Sequence, residues 1–162
     1  MGRRLVIITH LYMHLLKVIR VAALTVLFKL YNKTRGVPSE KITLCAAFFG
    51  YSYADCDEMY SPHQGADTTL FPKGQDIFYS QIAEKMNQFE RRWGFQKRKH
   101  LTIVGKTRNT LISFDDEESV ALKAEYINEN NGAGIIIWPL MGDYLNNGET
   151  PLLDSIYQQF NK

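Results

Sequence analysis

An apolar run stands out late in the chain: Gly132-Ala-Gly-Ile-Ile-Ile-Trp-Pro-Leu-Met-Gly-Asp143. It carries no charge before Asp143 and is rich in isoleucine, which predicts a strand buried on both faces, as in a parallel sheet covered by helices. The stretch before it has helical periodicity over 119–131. Asp115 and Asp116 offer caps there, and Glu117 and Glu118 fall in the first turn. Asn131 and Gly132 stop that helix through a left-handed backbone. After the run, Thr150 is the expected cap of a closing helix with Pro151 in its first turn. Leu152, Leu153, Ile156, Tyr157 and Phe160 form its apolar face. Helix, buried strand, polar loop and helix describe an α/β architecture. In a barrel of that class, Trp138 to Asp143 would lie at the C-terminal end of the strand, where active sites sit.

Upstream, residues 42–50 are apolar on consecutive positions and predict a second strand. Pro38 keeps Val37 out of helical geometry just before it. The two strands are separated by a helix, so they are expected to pair in parallel through a right-handed crossover. Residues 51–74 are loop-like, punctuated by Ser61-Pro62, Gly65, Pro72 and Gly74, with Tyr53, Tyr60 and Phe71 as anchors. The spacing of Ile77, Ile82, Met86 and Phe89 predicts a helix over 76–92, capped by Asp76 and ended by Arg91 and Arg92. Residues 5–31 are apolar almost all round and read first as a packed helix. A signal peptide ranks second, because Met1-Gly-Arg-Arg4 precedes the run and Val21-Ala-Ala23 imitates a cleavage site. A membrane anchor ranks third: His10, His14, Lys17 and Arg20 interrupt the run short of the roughly 18 apolar residues a span needs.

Composition narrows the classes. With 45% hydrophobic, 12% aromatic and 22% charged residues, the 162-residue chain is globular. A net charge of +2 gives no reason to invoke nucleic acid or acidic membranes as partners. Cys45 and Cys56 make no disulfide framework and read as packed thiols. His63 lies near Asp67 without a second histidine at ligand spacing, so it reads as a surface residue, and no metal or cofactor is expected. The cluster Asp115 to Glu118 is explained by capping and the helix dipole, and Glu125 and Glu129 as solvated positions on an amphipathic helix.

Leu111-Ile-Ser-Phe-Asp-Asp-Glu-Glu-Ser-Val-Ala-Leu-Lys-Ala-Glu-Tyr-Ile127, followed by the run that ends in Trp-Pro-Leu-Met-Gly-Asp143, closely resembles the C-terminal end of glycoside hydrolase family 18, the chitinase family. Gly36-Val-Pro-Ser-Glu-Lys-Ile42 resembles that family's turn between the sixth helix and seventh strand. The resemblance implies a C-terminal fragment of a TIM (β/α)8 barrel over 31–162, with part of an α+β insertion walling the cleft before the last helix. A complete barrel typically needs about 250 residues. Trp138 matches the tryptophan that floors the site beneath the sugar next to the scissile bond. Read by itself, Trp138 is a stacking platform or a core tryptophan; the resemblance favours the platform.

The family's strand usually ends Phe-Tyr-Gly-Arg. Here Phe48-Phe49-Gly50-Tyr51 stands there, so a hydroxyl and a guanidinium are replaced at the rim. Phe49 and Tyr51 remain candidate sugar contacts, with Phe48 read as core. Asp143 is a further candidate, as a sugar contact or a loop-capping carboxylate. The family acid is the glutamate of an Asp-x-x-Asp-x-x-Glu motif, which protonates the leaving oxygen while the sugar's own N-acetyl group attacks, outside the two-carboxylate scheme. These residues contain no such motif, so no catalytic residue is assigned in this chain. The resemblance therefore implies a chitinase-like fragment, inactive alone, for β-1,4-linked N-acetylglucosamine polymers. The alternative is a non-catalytic, lectin-like carbohydrate-binding member of the same family. Relatives are often secreted or periplasmic.

Residues 1–30 do not resemble the family as they stand. Codons can nevertheless be chosen for 8–30 whose third-base frame reads His-Thr-Pro-Val-Tyr-Ala-Pro-Pro-Glu-Gly-Asn-Pro-Gly-Ser-Gly-Phe-Asp-Gly-Ala, which resembles the family loop after the sixth strand. The same offset over 97–111 gives a segment like the one that precedes Leu111. Residues 1 to about 30 and about 97 to 110 are therefore expected to be translated out of frame, which would leave Lys97-Arg-Lys-His100 without functional meaning. The encoding nucleotide sequence checks this: the shifted frame should spell both family-like segments, and a stop codon or unrelated residues in it would contradict the reading.

Overall fold

The computed structural model describes residues 6–8, 23–56, 62–93, 101–105 and 110–162. Its strands are β1 (Val6–Ile8), β2 (Ile42–Ala47), β3 (Phe49–Ala54), β4 (Ile77–Phe78), β5 (Phe89–Trp93), β6 (Leu101–Gly105), β7 (Thr110–Phe114) and β8 (Gly134–Trp138). Its helices are α1 (Ala23–Lys29), α2 (Tyr79–Ala83), α3 (Glu117–Glu129) and α4 (Pro151–Phe160).

The first sheet has the order β1-β2-β8, and both pairings are parallel. Thr43 lies opposite Gly134 and Ala47 opposite Trp138, so the expected parallel pairing of the two apolar strands is observed. Every residue of β2 is buried, as a central strand requires. β8 was expected to be buried on both faces as well, but Gly134 to Ile137 are half-buried and Trp138 is exposed. No strand pairs with its outer edge among the described residues. α1 and α3 cover one side of β2, where Phe28, Ile42, Leu44, Tyr126 and Ile127 form one core.

The second sheet runs β4-β3-β7-β6-β5 and is antiparallel throughout. It is inserted between β2 and α3, and Ile112 and Phe114 of β7, with Phe48 just before β3 and Ile82 of α2, share a core with Val120, Ala124, Leu152 and Ile156 of α3 and α4. A fully buried side chain of this size contributes about 1.5–3 kcal/mol. A helix cap contributes typically ~1 kcal/mol, so this shared core, rather than the caps, holds the insertion to the parallel layer.

Several elements differ from the sequence expectation. Residues 42–50 are two strands, not one: the chain changes sheet at Phe48, whose N–H bonds the Trp138 carbonyl (2.9 Å) and whose carbonyl takes the Tyr79 N–H (3.0 Å). Tyr51 to Ala54 are strand rather than loop, because they pair with β7 while Gly50 and Ser52 turn inward. The helix predicted over 76–92 shrinks to α2; Arg91 and Arg92 lie on β5, where pairing with β6 overrides the helical spacing. Residues 5–31 are not one helix, since the β-branched Val6–Ile8 stretch pairs with β2; among the described residues of this span, Ala23–Lys29 is α-helical. The leader-like reading falls chiefly on 9–22, outside the described residues, as do Lys97 to His100. On α4, Leu152 and Ile156 are buried as expected but Tyr157 and Phe160 are exposed, because they lie on the flank that no described residue covers.

α3 begins and ends as its sequence predicts. Asp116 accepts the Ser119 N–H, and the Ser119 hydroxyl accepts the Asp116 N–H, both at 2.9 Å. Asn131 adopts φ +50° and the Gly132 N–H returns to the Ile127 carbonyl. Asp115 does something the sequence does not announce: it is buried in contact with the Lys123 ammonium. It also accepts the Ala47 N–H (3.2 Å) and the Ser119 hydroxyl (3.1 Å), tying the start of α3 to the end of β2. Lys123→Met should cost about 3–5 kcal/mol, because it leaves the buried carboxylate without its cation. Urea unfolding checks this, and the double variant Asp115→Asn with Lys123→Met should recover part of the loss; equal midpoints for single and double variants would contradict the coupling.

Candidate functional site at the end of the parallel strands

Trp138 closes β8 and is 68% exposed, although its neighbours Ala47 and Phe48 are buried. Its backbone is fixed while its ring is free. The carbonyl is held by Phe48, a cis peptide links it to Pro139, and the chain then makes a 3-10 turn over Leu140–Asp143. Gly142 lets that turn lie against β2: a Cβ there would stand 2.2 Å from the Phe48 carbonyl oxygen, which no other residue could tolerate. Asp143 then anchors the turn from below. Its carboxylate is fully buried and accepts the N–H groups of Leu152 (3.1 Å) and Leu153 (2.8 Å).

Asp143 therefore caps α4, and Thr150, the expected cap, makes no side-chain cap bond. A carboxylate suits this place because the first N–H groups of a helix lack intrahelical partners and carry positive partial charge. Of the two roles open to Asp143 in the sequence, loop capping is the one its geometry shows, and both oxygens are committed to it. Burial nonetheless raises its pKa; the two backbone donors oppose the rise and the nearby Glu117 and Asp154 add to it.

With the loop tied at both ends, Trp138, Leu140, Met141 and Tyr144 are left facing outward. β3 begins one residue after Phe48, whose N–H bonds the Trp138 carbonyl. Phe49, Tyr51 and Tyr53 share one face and are half-buried, whereas Gly50 and Ser52 point into the core. The rings of Phe49 and Tyr51 meet edge-on, 5.6 Å between centroids at 75°, an arrangement favoured by aromatic quadrupoles. The Tyr51 hydroxyl donates to Asp76 (3.1 Å). Burial, the hydrogen bond and the negative charge of Asp76 together push the Tyr51 phenol up to about 12. Phe48, read as core, is completely buried.

Three participants were not legible as such in the sequence. Asp76 was read as a helix cap, but it sits in a turn at φ +49° and serves Tyr51 instead; the surrounding Pro72, Gly74 and Gln75 were the available turn signal. Gly142 was visible only as a small residue in an apolar run. Glu117, assigned to the helix dipole, also accepts the buried Tyr79 hydroxyl at 2.7 Å. Burial and then this bond raise the Tyr79 phenol far above its ordinary value.

His63 is a surface residue, as expected, with its ring against Tyr53. The nearby Asp67 is buried and accepts the hydroxyls of Thr69 and Thr110. Among the described residues, no three His, Cys, Asp or Glu side chains converge as a metal site. Nor is any helix among them long and apolar enough to cross a membrane.

Residues 8–143 match the family model described as glycosyl hydrolases family 18. Chitinase A1 of Niallia circulans is 28% identical over 115 residues, which cover 67% of this chain and 16% of that protein. Among solved structures, the cell-surface chitinase ChiW of Paenibacillus sp. str. FPU-7 is 29% identical with a TM-score of 0.63, over 83% of this chain and 15% of its own. Human YKL-39, described as a pseudo-chitinase with retained chitooligosaccharide binding, shares the fold at a TM-score of 0.66 and 20% identity, over 82% of this chain and 38% of its own. The present chain thus spans well under half the length of each.

The Tyr51–Asp76 contact makes a pH-dependent prediction. The folded phenol titrates near 12 instead of 10.0, so its contribution to stability is complete below pH 10 and is lost as the pH rises through 12. In rapid alkaline pH jumps, the tyrosinate absorbance missing from Tyr51→Phe should have its midpoint near 12. A midpoint near 10 would contradict the contact.

Proposed function

This chain belongs to glycosyl hydrolases family 18, and on that premise we propose that it contributes a sugar-binding floor and rim for β-1,4-linked N-acetylglucosamine oligosaccharides, without a general acid of its own. The fold class that goes with the family, a portion of a (β/α)8 barrel, is shared with the ChiW and YKL-39 structures. The observation that carries the reading is Trp138. A large indole held by its backbone yet 68% exposed at the C-terminal end of a parallel strand is an unfavourable arrangement for a core residue. It is a favourable one for a stacking platform, since the indole face complements the axial hydrogens of a pyranose.

Phe49 and Tyr51 form the neighbouring rim. Phe49 offers ring surface, and Tyr51 a phenol oriented by Asp76. Asp143 supports the Trp138 loop through α4 rather than meeting the sugar. Hydrolysis in this family needs a protonated carboxyl at the leaving oxygen. Asp143 is spent on two backbone donors and Glu117 on Tyr79, and the sequence contains no Asp-x-x-Asp-x-x-Glu. Such proton transfer is worth roughly 10²–10⁴-fold in rate.

A lectin-like role is the second reading, favoured by the rim itself, where Phe49 and Tyr51 keep ring surface but lack the hydroxyl and guanidinium of the usual Phe-Tyr-Gly-Arg. The two readings agree on Trp138 and differ in whether an acid motif is encoded upstream. Purified 1–162 should show no turnover of a chromogenic N-acetylglucosamine oligomer while binding the oligomer weakly, and Trp138→Ala should remove the binding. Turnover abolished by Trp138→Ala would mean that a carboxylate of this chain acts as the acid and would overturn the reading.

A further inference from the structure

An oligosaccharide longer than one unit extends beyond a single indole, and β3, which starts next to the residue bonded to Trp138, carries aromatic residues along one face. The row begins where Phe48 bonds the Trp138 carbonyl, one residue before β3. Alternation then places Phe49, Tyr51 and Tyr53 on one face. Phe78 lies opposite Phe49 on β4, which puts its exposed ring on the same face. At the far end the Tyr53 ring meets the His63 imidazole, 4.9 Å between centroids at 59°. The His63 Nδ1 accepts the Gly65 N–H at 3.0 Å. That bond orients the ring and leaves the proton of the neutral imidazole on Nε2, free to donate. From Phe49 to Tyr53 the strand advances about 14 Å, at roughly 3.4 Å per residue.

The chemistry of this face suits a glycan better than a peptide. Beyond Phe49 and Phe78 the rings carry polar edges: the Tyr51 phenol with Asp76, the Tyr53 phenol, and the His63 N–H. A pyranose has the matching pair of features, an apolar face and a hydroxyl rim. A peptide would add to a sheet by pairing with a free strand edge. β3 has none to give, because β4 and Ala66 occupy one side and β7 the other.

We propose that Tyr53 and His63 form a distal sugar-stacking platform at the end of an aromatic track that starts at Trp138, engaged only by N-acetylglucosamine oligosaccharides long enough to span both. The proposal rests on the reading of Trp138 as a sugar floor. Calorimetric titration of 1–162 with the N-acetylglucosamine dimer and hexamer separates the two. His63→Ala and Tyr53→Ala should weaken the hexamer roughly 2- to 10-fold and leave the dimer unchanged, while Tyr53→Phe keeps most of the hexamer affinity. Trp138→Ala should weaken both ligands. His63 is exposed, so its variant carries the test if Tyr53→Ala fails to fold. Unchanged hexamer affinity in His63→Ala, or an equal loss for dimer and hexamer, would overturn the distal platform while leaving the Trp138 reading standing. If Trp138→Ala changes neither ligand, the floor fails and the track with it.

Discussion

At Phe48 the chain leaves a parallel sheet and enters an antiparallel one, and both of its backbone polar groups are used in the transition. Its N–H holds the Trp138 carbonyl and its carbonyl holds the Tyr79 N–H. The ring is completely buried, and Gly142 lies directly against the same carbonyl. The end of β8, the start of α2 and the loop that carries the exposed aromatics are therefore fixed relative to one residue. A buried backbone group left without a partner costs about 1–3 kcal/mol, so this junction has little freedom to rearrange. The placement of Trp138 beside β3 follows from it.

Around that junction the carboxylates serve the scaffold. Asp115 pairs with Lys123 under the end of β2, Asp116 caps α3 and takes Arg91 from β5, and Asp143 caps α4. Each joins an element of the parallel layer or its helices to another part of the fold. The open face, in contrast, is mostly aromatic and apolar, with polar edges supplied by Trp138 and by the Tyr51 and Tyr53 phenols. This division of labour fits a surface that holds a neutral, hydroxyl-rich ligand by stacking and leaves proton transfer to groups elsewhere.

The parallel layer was legible because its strands are apolar on consecutive residues and its helices carry their own punctuation: Asp116 before α3, Asn131-Gly132 after it and Pro151 at the start of α4. The insertion was not. Tyr51 to Ala54 are short, and Phe89 to Trp93 carry three consecutive charged residues, so that only pairing with β7 and β6 makes them strands. Ile77, Ile82, Met86 and Phe89 happen to fall at helical spacing, which concealed the break after Ala83. At the site, the position of Trp138 after the isoleucine run was legible, but that position alone left it open between core residue and platform, and the family resemblance was what favoured the platform. Asp143 was ambiguous because a capping carboxylate and a ligand contact look alike in sequence; only its two bonds to α4 separate them. Asp76 was misassigned because its partner Tyr51 lies 25 residues away.

The central claim is that the exposed indole of Trp138 is a sugar platform set beside the β3 rim. Nuclear magnetic resonance of 1–162 tests it directly, with the Trp138 indole N–H assigned from its absence in Trp138→Phe. On addition of the N-acetylglucosamine tetramer, that resonance and the amides of Phe49 and Tyr51 should shift together and saturate along one binding curve. Shifts confined to other residues, or none at tetramer concentrations that saturate an intact family chitinase, would contradict the account.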